Sequence, residues 1–334
     1  HVPRRFPHPR YSRGMTPKLI LDLDTGIDDA LALAYALASP EVELIGVTCT
    51  YGNVVVEQSV RNTLAILELF GRTDVPVFEG PGHARAKDSF EVQEISAFIH
   101  GQNGIGEVEI PDAARQVEQT SAVDFLVDSV HKYGDELVIV PTGPSTTIAA
   151  AIEASNVFRD GAQIVMMGGA LTVPGNVTAW SEANIHQDPE ATDLMFRSLR
   201  NVTMIGLDVT LQTLLTTAET TKWAELGTAG GAFLADITNY YIDAYKTTSP
   251  HLGGCGLHDP LAVAVAINPG LVDTLGVNMK VDTEGETRGR TIGDEARLND
   301  PDKHAAVAVR VDTTGFLQEF MQRLSVLAQA TPVV

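Results

Sequence analysis

The 334-residue chain reads as an α/β fold with a mostly parallel central sheet flanked by helices, and two observations predict this. Short apolar runs recur along the sequence with helix-length segments between them, and the residues that follow each run are polar. Strands covered by helices on both faces show as continuous apolar runs rather than alternating ones. Sheets of this kind bind ligands beyond the carboxyl ends of their strands, so the polar residues there are the candidates for chemistry.

Taken in order, the apolar runs at 19–23, 44–48, 137–140, 164–167 and 202–205 are the buried parallel strands. Helical periodicity and start signals place helices at 28–38, 55–70, 122–133, 146–153, 190–199, 232–245 and 261–267. Residues 278–282, 287–292 and 305–311 read as later strands and 314–328 as a closing helix, which together predict a small peripheral strand extension. No repeat or low-complexity linker divides the chain, so residues 15–334 are expected to make a single domain. Residues 1–14 are basic, hold three prolines and lack periodicity, which predicts a disordered extension or an expression remnant.

Composition excludes several classes of function. With 44% hydrophobic residues, 20% charged residues and no apolar run of membrane-spanning length, the chain belongs with globular proteins and not with membrane proteins. A formal charge of −20 opposes binding to phosphate backbones, so nucleic acid is not an expected partner. Two cysteines, Cys49 and Cys255, cannot make a disulfide framework, and no signal-like segment is visible, so a cytoplasmic location is expected.

The most informative segment is Ile20-Leu-Asp-Leu-Asp-Thr-Gly-Ile-Asp-Asp-Ala30, where Asp22, Asp24, Asp28 and Asp29 crowd one strand-to-helix junction. Two carboxylates about 5 Å apart repel by roughly 3 kcal/mol at an effective dielectric near 20. A helix N-terminus returns only about 0.3–1 kcal/mol per anion. A cation or a shared proton must balance the rest. An all-oxygen cluster suits a hard ion, calcium or magnesium. Helix capping would employ one or two of the four aspartates and leaves Asp22 and Asp24 unexplained. A weaker likeness, Asp22-Leu-Asp24-Thr25 to the haloacid-dehalogenase phosphohydrolases, would make Asp22 a nucleophile working with magnesium.

The string from Asp22 to Leu33 resembles the signature of the nucleoside hydrolases, the calcium-dependent inosine- and uridine-preferring N-ribohydrolases. Further blocks follow in that family's order: Thr50-Tyr-Gly-Asn53, Pro141-Thr-Gly-Pro144, Met167-Gly-Gly169, Gly175-Asn176, Glu182-Ala-Asn184 and His258-Asp-Pro-Leu261. The likeness runs from about residue 17 to residue 267. It implies the family's Rossmann-like open sheet and hydrolysis of a ribonucleoside to ribose and a free base. It also implies Ca2+ held by Asp24, Asp29, the Thr142 carbonyl and Asp259. Asp24 would take a proton from water, through an oxocarbenium-like transition state, and His258 would protonate the leaving base. An unperturbed imidazole pKa near 6.5 would suit that exchange.

The same resemblance assigns ribose contacts to Asp28, Asn53, Asn176, Glu182 and Asn184, with Met167 at the pocket, and likens His100 to a family His-Gly loop. Tyr241 and Tyr245, four residues apart on one helix face, either flank the base or pack in the core. Trp180 is a loop residue near the base or a surface anchor. Thr25 and Thr147 depart from the family's usual proline and asparagine. Homodimers or homotetramers are implied, the base preference stays open, and the rival to catalysis is a nucleoside- or ribose-binding protein without turnover.

Overall fold

The computed structural model describes residues 7–11 and 14–334. Its strands are β1 (Lys18–Leu23), β2 (Glu43–Cys49), β3 (Val77–Glu79), β4 (Leu137–Pro141), β5 (Gln163–Met167), β6 (Asn201–Ile205), β7 (Leu214–Leu215), β8 (Cys255–Gly256), β9 (Val272–Gly276), β10 (Met279–Val281), β11 (Thr291–Gly293) and β12 (Ala305–Val311). The α-helices are α1 (Ile27–Leu37), α2 (Val56–Leu69), α3 (Glu94–His100), α4 (Ala122–Tyr133), α5 (Thr146–Ala154), α6 (Asn156–Gly161), α7 (Ala183–Gln187), α8 (Pro189–Ser198), α9 (Leu207–Thr210), α10 (Thr217–Ala224), α11 (Ala229–Thr248), α12 (His258–Ile267) and α13 (Thr313–Gln329).

Among the described residues, eight strands form one sheet in the order β3-β2-β1-β4-β5-β6-β12-β9, parallel throughout except for the β12–β9 edge. Alternate residues of the central strands feed two separate cores. Leu19, Leu21, Val138, Val140 and Val165 face one, while Ile20, Leu137, Ile139, Ile164 and Met166 face the other. That is the period-2 geometry of a sheet covered by helices on both sides. The chain leaves β1 toward β2 on one side and returns to β4 on the other, so a topological switch point lies between β1 and β4.

α1 and α12 are the helices that position the site. Every residue of α1 and nearly all of α12 is buried, and the two pack on each other. Ala30, Ala32, Ala34 and Ala36 on one side and Ala262, Ala264 and Ala266 on the other are small enough for helices enclosed by core all round. This contact brings the start of α12 to the start of α1 across some 230 residues of chain.

One expectation needs correction. Residues 305–311 do not belong to a peripheral extension: β12 sits inside the main sheet, parallel to β6, and an additional strand, β9, forms the antiparallel edge beyond it. The β10–β11 hairpin stands apart from the main sheet, as does the short β7–β8 pair. The apolar pattern identifies a strand and says nothing about its partner. Residues 7–11 have no regular structure, yet they are packed against the body: the Arg10 N–H donates to Gln163 Oε1 at 3.0 Å and the Tyr11 hydroxyl to the Ala266 carbonyl at 2.8 Å. The rest of the expected disordered extension, residues 1–6 and 12–13, lies outside the described residues.

Candidate active site

The carboxyl ends of β1, β2, β4 and β5 deliver Asp24, the 50–53 turn, Thr142 and Met167 to one end of the sheet, at the switch point. Carboxylate oxygens of Asp28, Asp29 and Asp259, all buried, lie within 4.8 Å of one another. Asp24 stands just outside this trio and is tied to it. Its Oδ2 accepts the Asn53 N–H at 2.9 Å, and the Asn53 side-chain amide donates to Asp29 Oδ2 at 3.0 Å. Asp24 Oδ1 is buried with no hydrogen-bond partner. Thr142 contributes more than a carbonyl, because its hydroxyl donates to Asp29 Oδ1 at 2.8 Å.

Burial and mutual repulsion raise these acids. Asp28 is pushed up to about 8, first by burial and then by the charge of Asp29. Asp24 and Asp259 are held well above the ordinary carboxylate range for the same two reasons. Buried acids that repel one another, with an unpartnered oxygen among them, fit a cation. The donors are oxygens only, which suits a hard ion rather than a soft one. Gly52 makes room for the arrangement: its φ is +153° and a Cβ there would lie 2.2 Å from Asp24 Oδ2.

Above the cluster opens a cavity of about 350 Å³, lined on its polar side by Asp28, Asn53, Asn176, Glu182 and Asn184. The side chain of Asn184 donates to the Thr142 carbonyl at 2.8 Å and the Met167 carbonyl at 2.9 Å, so the group it offers a ligand is its Oδ1 acceptor. Asn176 is oriented the opposite way: its Oδ1 accepts the Ala183 N–H at 3.0 Å, leaving amide donors to offer. Glu182 accepts backbone N–H groups from Gly169, Asn184 and Ile185, and burial outweighs these bonds to hold its carboxyl up at about 7.

His100, Tyr241, Tyr245 and His258 line the cavity as well. Tyr241 lies against His100 at a centroid distance of 5.4 Å and meets Tyr245 edge-on at 5.0 Å. Tyr245 Oη is 2.6 Å from His258 Nε2, and His258 Nδ1 is 2.8 Å from the Thr210 hydroxyl. The expectation of an unperturbed His258 is corrected here: burial lowers it to about 4, and burial does the same to His100. Burial also raises both tyrosines, which therefore remain protonated donors.

The structure thus brings all of the sequence-predicted site residues to one pocket or its immediate support. Trp180 is half-exposed and does not line the cavity, and Cys49 and Cys255 are buried free thiols. Sequence reasoning missed Thr210 behind His258 and the wall made by α3, with Gln93, Ile95, Ser96 and Ile99. A signal existed for α3, since Ile95, Phe98 and Ile99 recur at helical spacing before His100. Thr210 carried none.

One pocket of this α/β fold holds amides and carboxylates suited to hydroxyl groups, a buried acidic cluster suited to a cation, and tyrosine and histidine side chains able to move protons, which together define a hydrolase. Residues 19–318 match the model of the inosine-uridine preferring nucleoside hydrolases. A probable uridine nucleosidase 2 of Arabidopsis thaliana is 36% identical over 93% of this chain and 98% of its own. A pyrimidine-specific ribonucleoside hydrolase of Escherichia fergusonii is 32% identical over 94% of this chain and 100% of its own. The solved structure of a purine-preferring ribonucleoside hydrolase from Gardnerella vaginalis is 65% identical, covering 93% of this chain and 99% of that one, with a TM-score of 0.92.

The chain belongs to the inosine-uridine preferring nucleoside hydrolase family. It is a hydrolase of the N-glycosidic bond of ribonucleosides. Enzymes of this family use a metal ion, and the buried acidic cluster is the place for one here. The dehalogenase-type phosphohydrolase reading fails on access: Asp22 is fully buried within β1, holds the Thr48 hydroxyl at 2.7 Å and does not line the cavity. Among the described residues no helix is long and apolar enough to cross a membrane.

Proposed function

We propose that Asp24, Asp29, Asp259 and the Thr142 carbonyl hold Ca2+, and that Asp24 and the His258–Tyr245 pair are the proton acceptor and proton source of the reaction. The observation that carries this reading is the meeting of the buried Asp28, Asp29 and Asp259 carboxylates within 4.8 Å beside the cavity, with Asp24 tied to them through Asn53. When bound, the ion supplies Lewis acidity and offsets the repulsion among the acids. Asp28, Asn53, Asn176, Glu182 and Asn184 grip the ribose hydroxyls, the carboxylates and the Asn184 Oδ1 accepting from them and the Asn176 amide donating to one.

Asp24 Oδ1 takes the proton of the attacking water, because Oδ2 is already engaged by Asn53. As the C–N bond lengthens, positive charge grows on the ribosyl ring beside the acids and negative charge on the base beside the donors. Both nitrogens of His258 face hydroxyls, which accept as readily as they donate. The ring can therefore take a second proton without breaking either bond. With His258 carrying a second proton taken from solvent, Tyr245 passes its hydroxyl proton to the departing base and is reprotonated from the imidazolium Nε2–H, which returns His258 to the neutral ring. Negative charge on the base favours the imidazolium that burial alone disfavours.

Purine ribonucleosides are the preferred substrates in this reading. Its support is the 65% identity to an enzyme titled purine-preferring, against 36% and 32% to relatives named for uridine and pyrimidines. The apolar and aromatic walls, Ile95, Ile99, Tyr241 and Tyr245, suit the larger base. A cytoplasmic location, supported by buried cysteines that remain free, completes the proposal, and the family resemblance adds a homodimer or homotetramer. The test is release of reducing sugar from inosine, adenosine, uridine and cytidine with calcium present, alongside phosphate release from a nucleotide. A preference for inosine over uridine of about tenfold or more in kcat/KM is expected, the scale of one or two kcal/mol of extra contact. Equal or better cleavage of uridine overturns the base assignment.

A further inference from the structure

α1 presents Asp28 and Asp29 from its first turn, yet its N-cap residue, Gly26, has no side chain with which to accept the free N–H groups there. The Ile27 N–H is taken instead by His100 Nδ1, in a buried bond of 3.0 Å that spans 73 residues of sequence. The approach is close: a Cβ on Gly26 would lie 2.5 Å from that nitrogen. A ring nitrogen that accepts carries no hydrogen, so the proton of the neutral imidazole resides on Nε2.

His100 is also the last residue of α3, the helix whose Ile95, Ser96 and Ile99 form one wall of the cavity. α3 packs on α11, and the His100 ring lies on Tyr241. On either side the chain is irregular, from 80 to 93 and from 101 to 121, so no neighbouring strand or helix braces α3 through the backbone. The bond to Ile27 is thus a direct link between the pocket wall and the turn that bears two of the three converging carboxylates.

We propose that His100 is a positioning residue that caps α1 from α3, coupling the pocket wall to the geometry of the carboxylate cluster. Seating α3 on α1 orders the first turn and with it Asp28 and Asp29. By linkage, a ligand that draws α3 inward tightens the grip on a cation, and a cation that fixes the turn holds α3 in place. This rests on the reading of the cluster as a metal site.

The test titrates calcium into the metal-stripped full-length protein by calorimetry for wild type, His100→Ala and His100→Asn, with backbone amide exchange at Ile27 followed in the same stripped samples. Asparagine places an acceptor, Oδ1, near the position of Nδ1. His100→Ala is expected to bind calcium about fivefold to tenfold more weakly and to exchange the Ile27 amide faster, the scale of one buried hydrogen bond. His100→Asn is expected to stay within about twofold of wild type on both. Free ribose should raise calcium affinity in wild type and do so less in His100→Ala. Should His100→Ala not fold, His100→Phe, which keeps a ring and deletes the acceptor, takes its place. Unchanged calcium affinity without the acceptor, or equal losses with asparagine, overturns the coupling. Wild-type protein that binds no calcium refutes the metal assignment instead, and Ile27 exchange still decides whether His100 caps the helix.

Discussion

Replacing Asp24 by asparagine keeps the shape of the side chain and removes its basicity, which isolates the step assigned to it. In the native site Oδ2 accepts the Asn53 N–H at 2.9 Å and Oδ1 is buried without a partner. The asparagine carbonyl inherits the bond to Asn53, and an amide nitrogen that cannot take a proton occupies the place of Oδ1. Loss of a general base typically removes 10² to 10⁴ in rate, about 3–5 kcal/mol of barrier. Turnover of inosine at saturating calcium should therefore fall by about a hundredfold or more, with a much smaller change in KM. A nitrophenyl riboside should lose as much, because the water's proton has to leave whatever the leaving group. The fold should not suffer: burial and the Asp29 charge already press Asp24 toward neutrality, so the metal-free variant should melt at or above the wild-type temperature. Turnover within about tenfold of wild type, or a loss confined to KM, refutes the assignment.

Tyr245→Phe and His258→Ala should each slow inosine by about a hundredfold while sparing an activated nitrophenyl riboside, whose leaving group needs no proton; equal losses on the two substrates would contradict their role. Gly52→Ala puts a Cβ 2.2 Å from Asp24 Oδ2 at a φ of +153°, so it should lose about 1–3 kcal/mol of stability and most of its turnover, read by melting and by reducing-sugar assay. Chelation of calcium should weaken ribose binding as well as catalysis and lower the melting temperature, restored by added calcium; calorimetric ribose binding unchanged by chelation would count against the ion's part in ordering the acids that grip the sugar. Asn184→Ala removes the amide that bridges the Thr142 and Met167 carbonyls and a proposed acceptor for the sugar, so KM should rise by about tenfold with kcat less affected.

Local sequence carries local information, and the site shows where that ends. The five central strands were legible because buried parallel strands have to be apolar on both faces, and Ile20 and Leu21 indeed enter different cores. β12 was recognised as a strand and misplaced, because its partners β6 and β9 are chosen by packing, which no run of seven residues encodes. At the site, Asp22-Leu-Asp-Thr-Gly-Ile-Asp-Asp announced a crowded junction through its charge density alone. What the string did not reveal was the division of labour within it. Asp22 faces Thr48 inside the sheet, whereas Asp28 joins Asp29 and Asp259 at the cavity. From sequence His258 is a histidine of ordinary acidity, whereas burial first, and then the neighbouring His100, lower it to about 4.

By itself the sequence determined the sheet's apolar core, the placing of polar residues after strands, and the presence of more carboxylates at one junction than a helix end can balance. These are properties of composition and period, and they hold wherever the rest of the chain goes. Tertiary structure decided which acids meet. The all-round apolar surfaces of α1 and α12 forced the two helices together and set Asp259 beside Asp28 and Asp29. It also decided proton states and wall placement, since both depend on dielectric surroundings and on contacts such as His100 to Ile27, made between segments distant in sequence.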